Sequence, residues 1–168
     1  PNREAEPQPV FLASIGKPLE GISNLEVHSN PCWLDVEGVR ILLYHGTSID
    51  SIIDAVEPIR NKAYHDPCLA QVQMLRKRHL SPIFGRNRIF PDPSDFMVID
   101  KVPHVFHTGH VHKTSMGKYR GMRLVSSGTY QSTTDFQEKL GHDPSPGEFV
   151  LMDLSDGSAR TVDFSKLN

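Results

Sequence analysis

Apolar residues run almost unbroken from Val39 to Tyr44, with Arg40 as the one interruption. A run of this length suits a central strand covered on both faces, with sheet neighbours expected from outside this chain. It ends at His45. The following Gly46-Thr47-Ser48 is a polar turn whose last residue suits a helix N-cap, so a helix is expected over 49–56. Upstream, Glu37-Gly38 reads as a tight turn, and 25–29 and 32–36 read as short strands. Asp66-Pro67 has the N-cap and first-turn proline of a helix start. Leu69, Val72 and Leu75 or Leu80 then recur at helical spacing with Arg76 to Arg78 largely opposite, which gives a second helix over 67–79. Strands are expected at 96–99, 104–108, 123–127, 149–154 and 160–164, with Asp156-Gly157 turning the chain into the last of them.

Strands that first alternate with helices and then follow one another directly fit an α/β sandwich whose later part is mostly sheet. At 168 residues and 38% hydrophobic content the chain has the length and apolar content of one ordinary domain. The prolines cluster at 1–9, 82–93 and 144–146 and mark loops without suggesting a second domain. The longest apolar runs fall far short of the roughly 20 residues a membrane span needs. The chain opens on Pro1 with neither a basic nor an apolar leader stretch, so it is expected to begin inside a longer protein and to work in the cytoplasm. Cys32 and Cys68 match no zinc-site spacing and read as free thiols. A net charge of −2 gives no global attraction to nucleic acid. Local attraction has two sources, Arg76 to His79 and the set Lys113, Lys118, Arg120 and Arg123, although runs of this size are more often solvated faces.

The strongest chemical signal is Gly109-His110-Val111-His112, directly after the strand at 104–108. In extended backbone, residues i and i+2 point the same way about 6.6 to 6.8 Å apart. Two imidazoles so placed address two metal ions roughly 3.5 to 4 Å apart. An isolated HxH is more often a pair of surface histidines. His45 strengthens the metal reading, because it ends the most apolar strand, and ligands collect at the carboxyl ends of strands in open α/β sheets. A hydrogen-bonded structural histidine accounts for His45 alone equally well. Three imidazoles do not complete a binuclear site for Mn²⁺ or Mg²⁺, which also needs carboxylates, and no carboxylate stands at a matching strand end.

The phrases Leu42-Leu43-Tyr44-His45-Gly46-Thr47-Ser48-Ile49-Asp50, Arg78-His79-Leu80-Ser81-Pro82, His107-Thr108-Gly109-His110-Val111-His112 and Ser126-Ser127-Gly128-Thr129-Tyr130-Gln131 resemble, in order and spacing, the small subunit of the archaeal family D DNA polymerases. That family belongs to the calcineurin-like metallophosphoesterases, whose sites combine a D-x-H, an Asp, a GNHD, a lone His and a GHxH. Only the last two occur here. Arg3 to Pro9 resembles the stretch just downstream of the GNHD. The resemblance therefore implies the C-terminal part of one such domain, an α/β β-sandwich flanked by helices, without its upstream half and the oligonucleotide-binding domain. It further implies that His45 and His110 ligand one divalent ion and His112 the other, with Mn²⁺ or Mg²⁺ as the two ions. The implied reaction is metal-assisted 3′ to 5′ hydrolysis at single-stranded or mismatched DNA ends, in partnership with the large polymerase subunit, and catalytic residues beyond the metal ligands are expected outside this chain.

His79 beside the basic run could meet a phosphate, but a position at a helix C-terminus more simply complements the helix dipole. Ser127 and Thr129 leave a strand near the HxH loop; they either line the site and touch substrate or simply form a strand-to-turn segment. His28, His65, His104, His107 and His142 have no partner arguable from sequence. Two other functions compete: a non-catalytic polymerase scaffold, disfavoured by three retained histidines, and a general phosphoesterase, disfavoured by the polymerase-like phrases outside the site.

Overall fold

The structure, a computed structural model, describes residues 22–134 and 143–166, so the expectations for 1–9 and for His142 fall outside the described residues. The elements in chain order are β1 (Cys32–Val36), β2 (Val39–Tyr44), α1 (Ile49–Ala55), a 3₁₀ turn (Glu57–Ile59), α2 (Cys68–Lys77), β3 (Val105–Thr108), β4 (Ser115–Tyr119), β5 (Met122–Ser126), β6 (Glu148–Met152), β7 (Ala159–Asp163) and a closing 3₁₀ turn (Phe164–Lys166). Strands β1-β2-β3-β5-β4 form one mixed sheet in that order, and β6 and β7 form a separate antiparallel pair.

The sheet has a parallel centre and antiparallel edges. β2 pairs β3 and β3 pairs β5 in parallel, whereas β1 and β4 are hairpin partners of β2 and β5. Both hairpins turn on two residues of positive φ, Glu37 (50°) with Gly38 (85°) and Arg120 (48°) with Gly121 (84°). That pairing matches the right-handed strand twist. The crossover from β2 to β3 carries α1 and α2, which cover one face.

Leu42, Phe106 and Leu124 lie in register across the three parallel strands and are at most 1% exposed. With Tyr44 they pack against Ile49, Ile52 and Ile53 of α1 and Met74 and Leu75 of α2. Burying each large apolar side chain contributes about 1.5–3 kcal/mol. Gln71 of α2 is fully buried among them, and its Nε2 donates to Thr108 Oγ1 (3.0 Å), Val125 O (2.7 Å) and, at 3.4 Å, Phe106 O. One side chain thus ties the helix to the ends of β3 and β5.

Several sequence expectations need correction. β2 finds its neighbours, β1 and β3, within this chain, and its burial alternates: Leu42 and Tyr44 are buried, Ile41 and Leu43 only half-buried. The inward face of α2 is set chiefly by Cys68, Ala70, Gln71, Met74 and Leu75, with the expected Leu69 and Val72 only partly buried against the same core. Residues 25–29 form no strand; most are exposed and carry no sheet partner within the described residues. The strand expected at 96–99 reduces to a single bridge, His79 to Val98, with Leu80 N–H on Met97 O and Ile99 N–H on Arg78 O. β4, which the sequence reading missed, reads Ser-Met-Gly-Lys-Tyr and has little of the β-branched signal that marks strands.

Candidate metal centre

Because β2, β3 and β5 run parallel, their carboxyl ends lie along one edge of the sheet, and each ends in a stretch the sequence singled out. His45 follows β2, Gly109 to His112 follow β3, and Ser127 to Thr129 follow β5. Backbone hydrogen bonds hold these ends together. Gly109 N–H donates to His45 O (3.0 Å) and Ser127 N–H to Thr108 O (2.9 Å). His45 N–H donates to Asn30 Oδ1 at 2.8 Å, so the polar side chain just before β1 secures the end of β2.

Gly46 has a φ of +105°, and a Cβ there would lie 2.9 Å from Ile49 Cδ1, 3.2 Å from His110 Cβ and 3.3 Å from Gly109 O. Only glycine meets both demands, the left-handed φ and the close approach of His110. The HxH segment does not continue β3 as extended chain, which corrects the expectation of strand alternation for this pair. His110 (φ 70°) and His112 (φ 58°) both sit in the left-handed region, and Val111 N–H donates back to Gly109 O at 2.9 Å, closing a three-residue turn around His110. Non-glycine residues held this way concentrate at functional sites, where surrounding structure sustains the strain.

This turn aims the His110 ring into a defined polar cluster. Its Nδ1 lies 3.3 Å from His45 Nε2, with the two rings edge to face and centroids 5.1 Å apart. Its Nε2 donates to Asp50 Oδ2 at 2.7 Å. Because a carboxylate only accepts, Nε2 of His110 carries a proton, and in the neutral imidazole the Nδ1 lone pair then faces His45. Asp50, in the first turn of α1, also accepts from the Tyr64 hydroxyl through Oδ1 at 3.0 Å. Burial first, and then the Asp50 charge beside it, push the Tyr64 phenol far above its ordinary pKa, so it remains a donor.

Asp50 is the residue that sequence reasoning overlooked. The sequence pointed to no carboxylate at a matching strand end, yet one reaches the site from the helix that follows β2. An acidic residue in a first helical turn five positions after a strand-end histidine was the signal available.

His112 is half-buried two residues beyond His110, and its carbonyl accepts from Ser145 N–H at 2.8 Å. Among the described residues, no group of three or more His, Cys, Asp and Glu side chains is arranged to hold a metal ion. The structure thus brings His45, His110 and Asp50 together.

The other singled-out residues have local partners. His79 lies past the left-handed cap residue Arg78, and both ring nitrogens are engaged: Nδ1 accepts from Ser81 N–H (2.9 Å) and Nε2 bonds Asp95 Oδ2 (2.9 Å). A carboxylate and a backbone amide are its side-chain partners just past the C-terminus of α2. Ser127 Oγ is in a short hydrogen bond with His107 Nε2. Thr129 Oγ1 accepts from Gln131 N–H at 3.0 Å, and its backbone bridges to Pro146. His107 and His104, for which the sequence offered no partner, both have one; His104 Nδ1 accepts from Arg40 N–H at 3.0 Å. The N-cap residue Ser48 makes no capping bond, because its hydroxyl donates to Leu80 O.

No family model matches the chain. It is 42% identical over 150 residues to the DNA polymerase II small subunit of Archaeoglobus fulgidus, covering 89% of this chain and 30% of that protein. It is 40% identical over 165 residues to the protein of the same name from Methanothermobacter thermautotrophicus, covering 98% and 33%. For the Pyrococcus furiosus protein the identity is 36% over 165 residues, covering 97% and 26%. The chain thus spans a third or less of the length of these relatives.

Proposed function

We propose that this chain, a relative of the archaeal DNA polymerase II small subunits over nearly its whole length, contributes the histidine half of a divalent-metal centre for 3′ to 5′ exonucleolytic proofreading. In this reading it is the C-terminal portion of a calcineurin-like metallophosphoesterase domain, working in the cytoplasm beside a large polymerase subunit on single-stranded or mismatched DNA ends. The similarity to named polymerase subunits supports the assembly. The observation that carries the chemistry is the approach of His45 Nε2 to His110 Nδ1 with Asp50 behind His110.

His45 and His110 make up only part of a cation site, and their donor chemistry suits one. Two imidazole nitrogens 3.3 Å apart come together around a hydrogen-bonding proton or an ion, and a metal-ligating histidine usually donates its second nitrogen's N–H to a carboxylate, as His110 does. His45 and His110 would hold one ion, and His112, on the same strand-end loop, would serve the second. Mn²⁺ or Mg²⁺ bound there supplies the positive charge that acidifies a water and stabilises attacking and leaving oxygens. The chain's own contribution is placement. The parallel ladder fixes the height of His45 and His110, Gly46 leaves room for them, and the turn at 109–111 brings the His110 side chain into the cluster. In this reading Ser127 and Thr129, at the adjacent strand end, would line the path of the DNA strand.

The test is His110→Ala and His112→Ala, made separately in the complete polymerase assembly and assayed on a primer with a mismatched 3′ end. Loss of trimming with polymerisation retained is expected, since a first ligand governs ion position and hence in-line geometry. Full trimming in both variants would return the chain to a non-catalytic scaffold.

A further inference from the structure

We infer that Asp50 and Tyr64 form a positioning pair that fixes the tautomer and ring direction of His110 for metal binding; the inference rests on the metal reading above. The two partners differ sharply in exposure. The His110 side chain is 7% exposed, whereas that of Asp50 is 48% exposed. A nearly enclosed imidazole with a left-handed backbone does not choose its own orientation; its neighbours impose it. Of its two nitrogens, Nε2 is committed to Asp50 Oδ2 at 2.7 Å, which leaves Nδ1 as the lone pair turned towards His45.

Asp50 is itself restrained. Its two oxygens have different partners, Tyr64 O–H at 3.0 Å and His110 Nε2–H at 2.7 Å, so the carboxylate plane is set from both sides. Tyr64 comes from the segment between the 3₁₀ turn and α2, so three separate stretches of chain meet at the Asp50 carboxylate. A carboxylate in this arrangement raises the basicity of the free nitrogen and holds the imidazole in one tautomer. Were Asp50 only a stabilising ion-pair partner, no role would follow for Tyr64, whose hydroxyl donates to the oxygen that His110 does not use.

The experiment measures Mn²⁺ binding by the loss of the free-ion electron paramagnetic resonance signal, in the full-length small subunit, for wild type, Asp50→Asn, Tyr64→Phe and His110→Ala. We expect Asp50→Asn to raise the dissociation constant by about 10- to 100-fold. Tyr64→Phe, which removes one hydrogen bond from the carboxylate, should raise it by roughly two- to fivefold. The metal-free protein gives an independent readout: the ¹⁵N imidazole spectrum should show His110 protonated at Nε2 in wild type and a mixture of tautomers in Asp50→Ala. Should Asp50→Ala fail to fold, the near-isosteric Asp50→Asn and Tyr64→Phe carry the test through Mn²⁺ affinity.

The outcomes separate cleanly. Loss of Mn²⁺ binding in His110→Ala with Asp50→Asn within twofold of wild type overturns the positioning role and leaves the metal reading standing. A loss in Asp50→Asn as complete as in His110→Ala makes Asp50 a ligand and likewise overturns it. Unchanged Mn²⁺ binding in His110→Ala removes the metal reading and the positioning role with it.

Discussion

His107 and Ser127 are joined side chain to side chain across the parallel pair of β3 and β5, in a short hydrogen bond between Nε2 and Oγ. The contact belongs to the sheet face opposite the one that buries Phe106, and it clasps the two strand ends immediately before the His110 turn and the Ser127 to Thr129 segment.

Burial lowers the pKa of His107 below its ordinary value. A lowered histidine pKa means that the unfolded chain binds the proton more readily than the folded one. The stability contributed by neutral His107 is therefore complete above about pH 6.5 and is lost as pH falls through that value towards the folded pKa. Urea unfolding at pH 8 and pH 5.5 should show a decline that is smaller in His107→Asn, which keeps a polar group at the strand end without the titration. An equal decline in both proteins would show that this imidazole does not govern the acid response.

Gly46→Ala should destabilise the protein by more than the roughly 0.4–1 kcal/mol that the same change gains where the backbone suits alanine, because a strained φ of +105° and a contact at 2.9 Å to Ile49 Cδ1 act together. It should also weaken the proposed Mn²⁺ binding, since the new Cβ presses on His110 Cβ at 3.2 Å. Gly38→Ala is the comparison: its φ is +85° and nothing lies within 4 Å of the added carbon. That variant should cost stability alone, so a metal defect common to both would contradict the steric account.

The sequence revealed the placement of the histidines better than their geometry. The run at Val39 to Tyr44 and its His-Gly ending located His45 because a long apolar strand followed by glycine leaves few alternatives. The HxH spacing was legible too, but the left-handed turn at His110 was not, since neither histidine is a residue type that demands positive φ. Asp50 was hidden for a different reason: its partners, His110 and Tyr64, are 60 and 14 residues away, and only the β2-to-β3 crossover brings them together. β4 escaped because a strand that lies on an edge, with Met116 and Lys118 outward, needs little of the apolar alternation that a buried strand shows.

His79→Ala and Asp95→Ala should each lower stability modestly. The pair ties the segment after α2 to the loop before β3, but Asp95 is half exposed and such ion pairs couple by about 0.2–1 kcal/mol. A double-mutant cycle on thermal unfolding measures that coupling. Because both His79 nitrogens are engaged with Ser81 and Asp95, the proposed exonuclease activity should change little in His79→Ala. A large loss of activity with normal stability would assign His79 to the DNA path instead.

Gln71→Glu should be far more damaging than Gln71→Leu at pH 7, and the gap should narrow in acid. The amide nitrogen of Gln71 faces three acceptors at once, Phe106 O, Thr108 Oγ1 and Val125 O, in a position with no solvent exposure. An ionised carboxylate there would meet only oxygen lone pairs, and burying a charge without a partner is among the most unfavourable substitutions available. The folded state therefore admits the substituted carboxyl only in its protonated form, which retains one donor. Its folded pKa is raised above the ordinary glutamate value of about 4.3, so the stability of this variant is greatest below that value and is lost as pH rises. Leucine carries no titration and loses the three donor contacts at every pH, a cost of about 1–3 kcal/mol for groups left unsatisfied. Other titrating groups respond alike in the two variants, so the difference between their unfolding midpoints from pH 4 to pH 8 isolates position 71. A difference that stays constant over this range would mean that the helix shifts to let water reach the carboxylate, and that Gln71 does not hold α2 rigidly against the ends of β3 and β5.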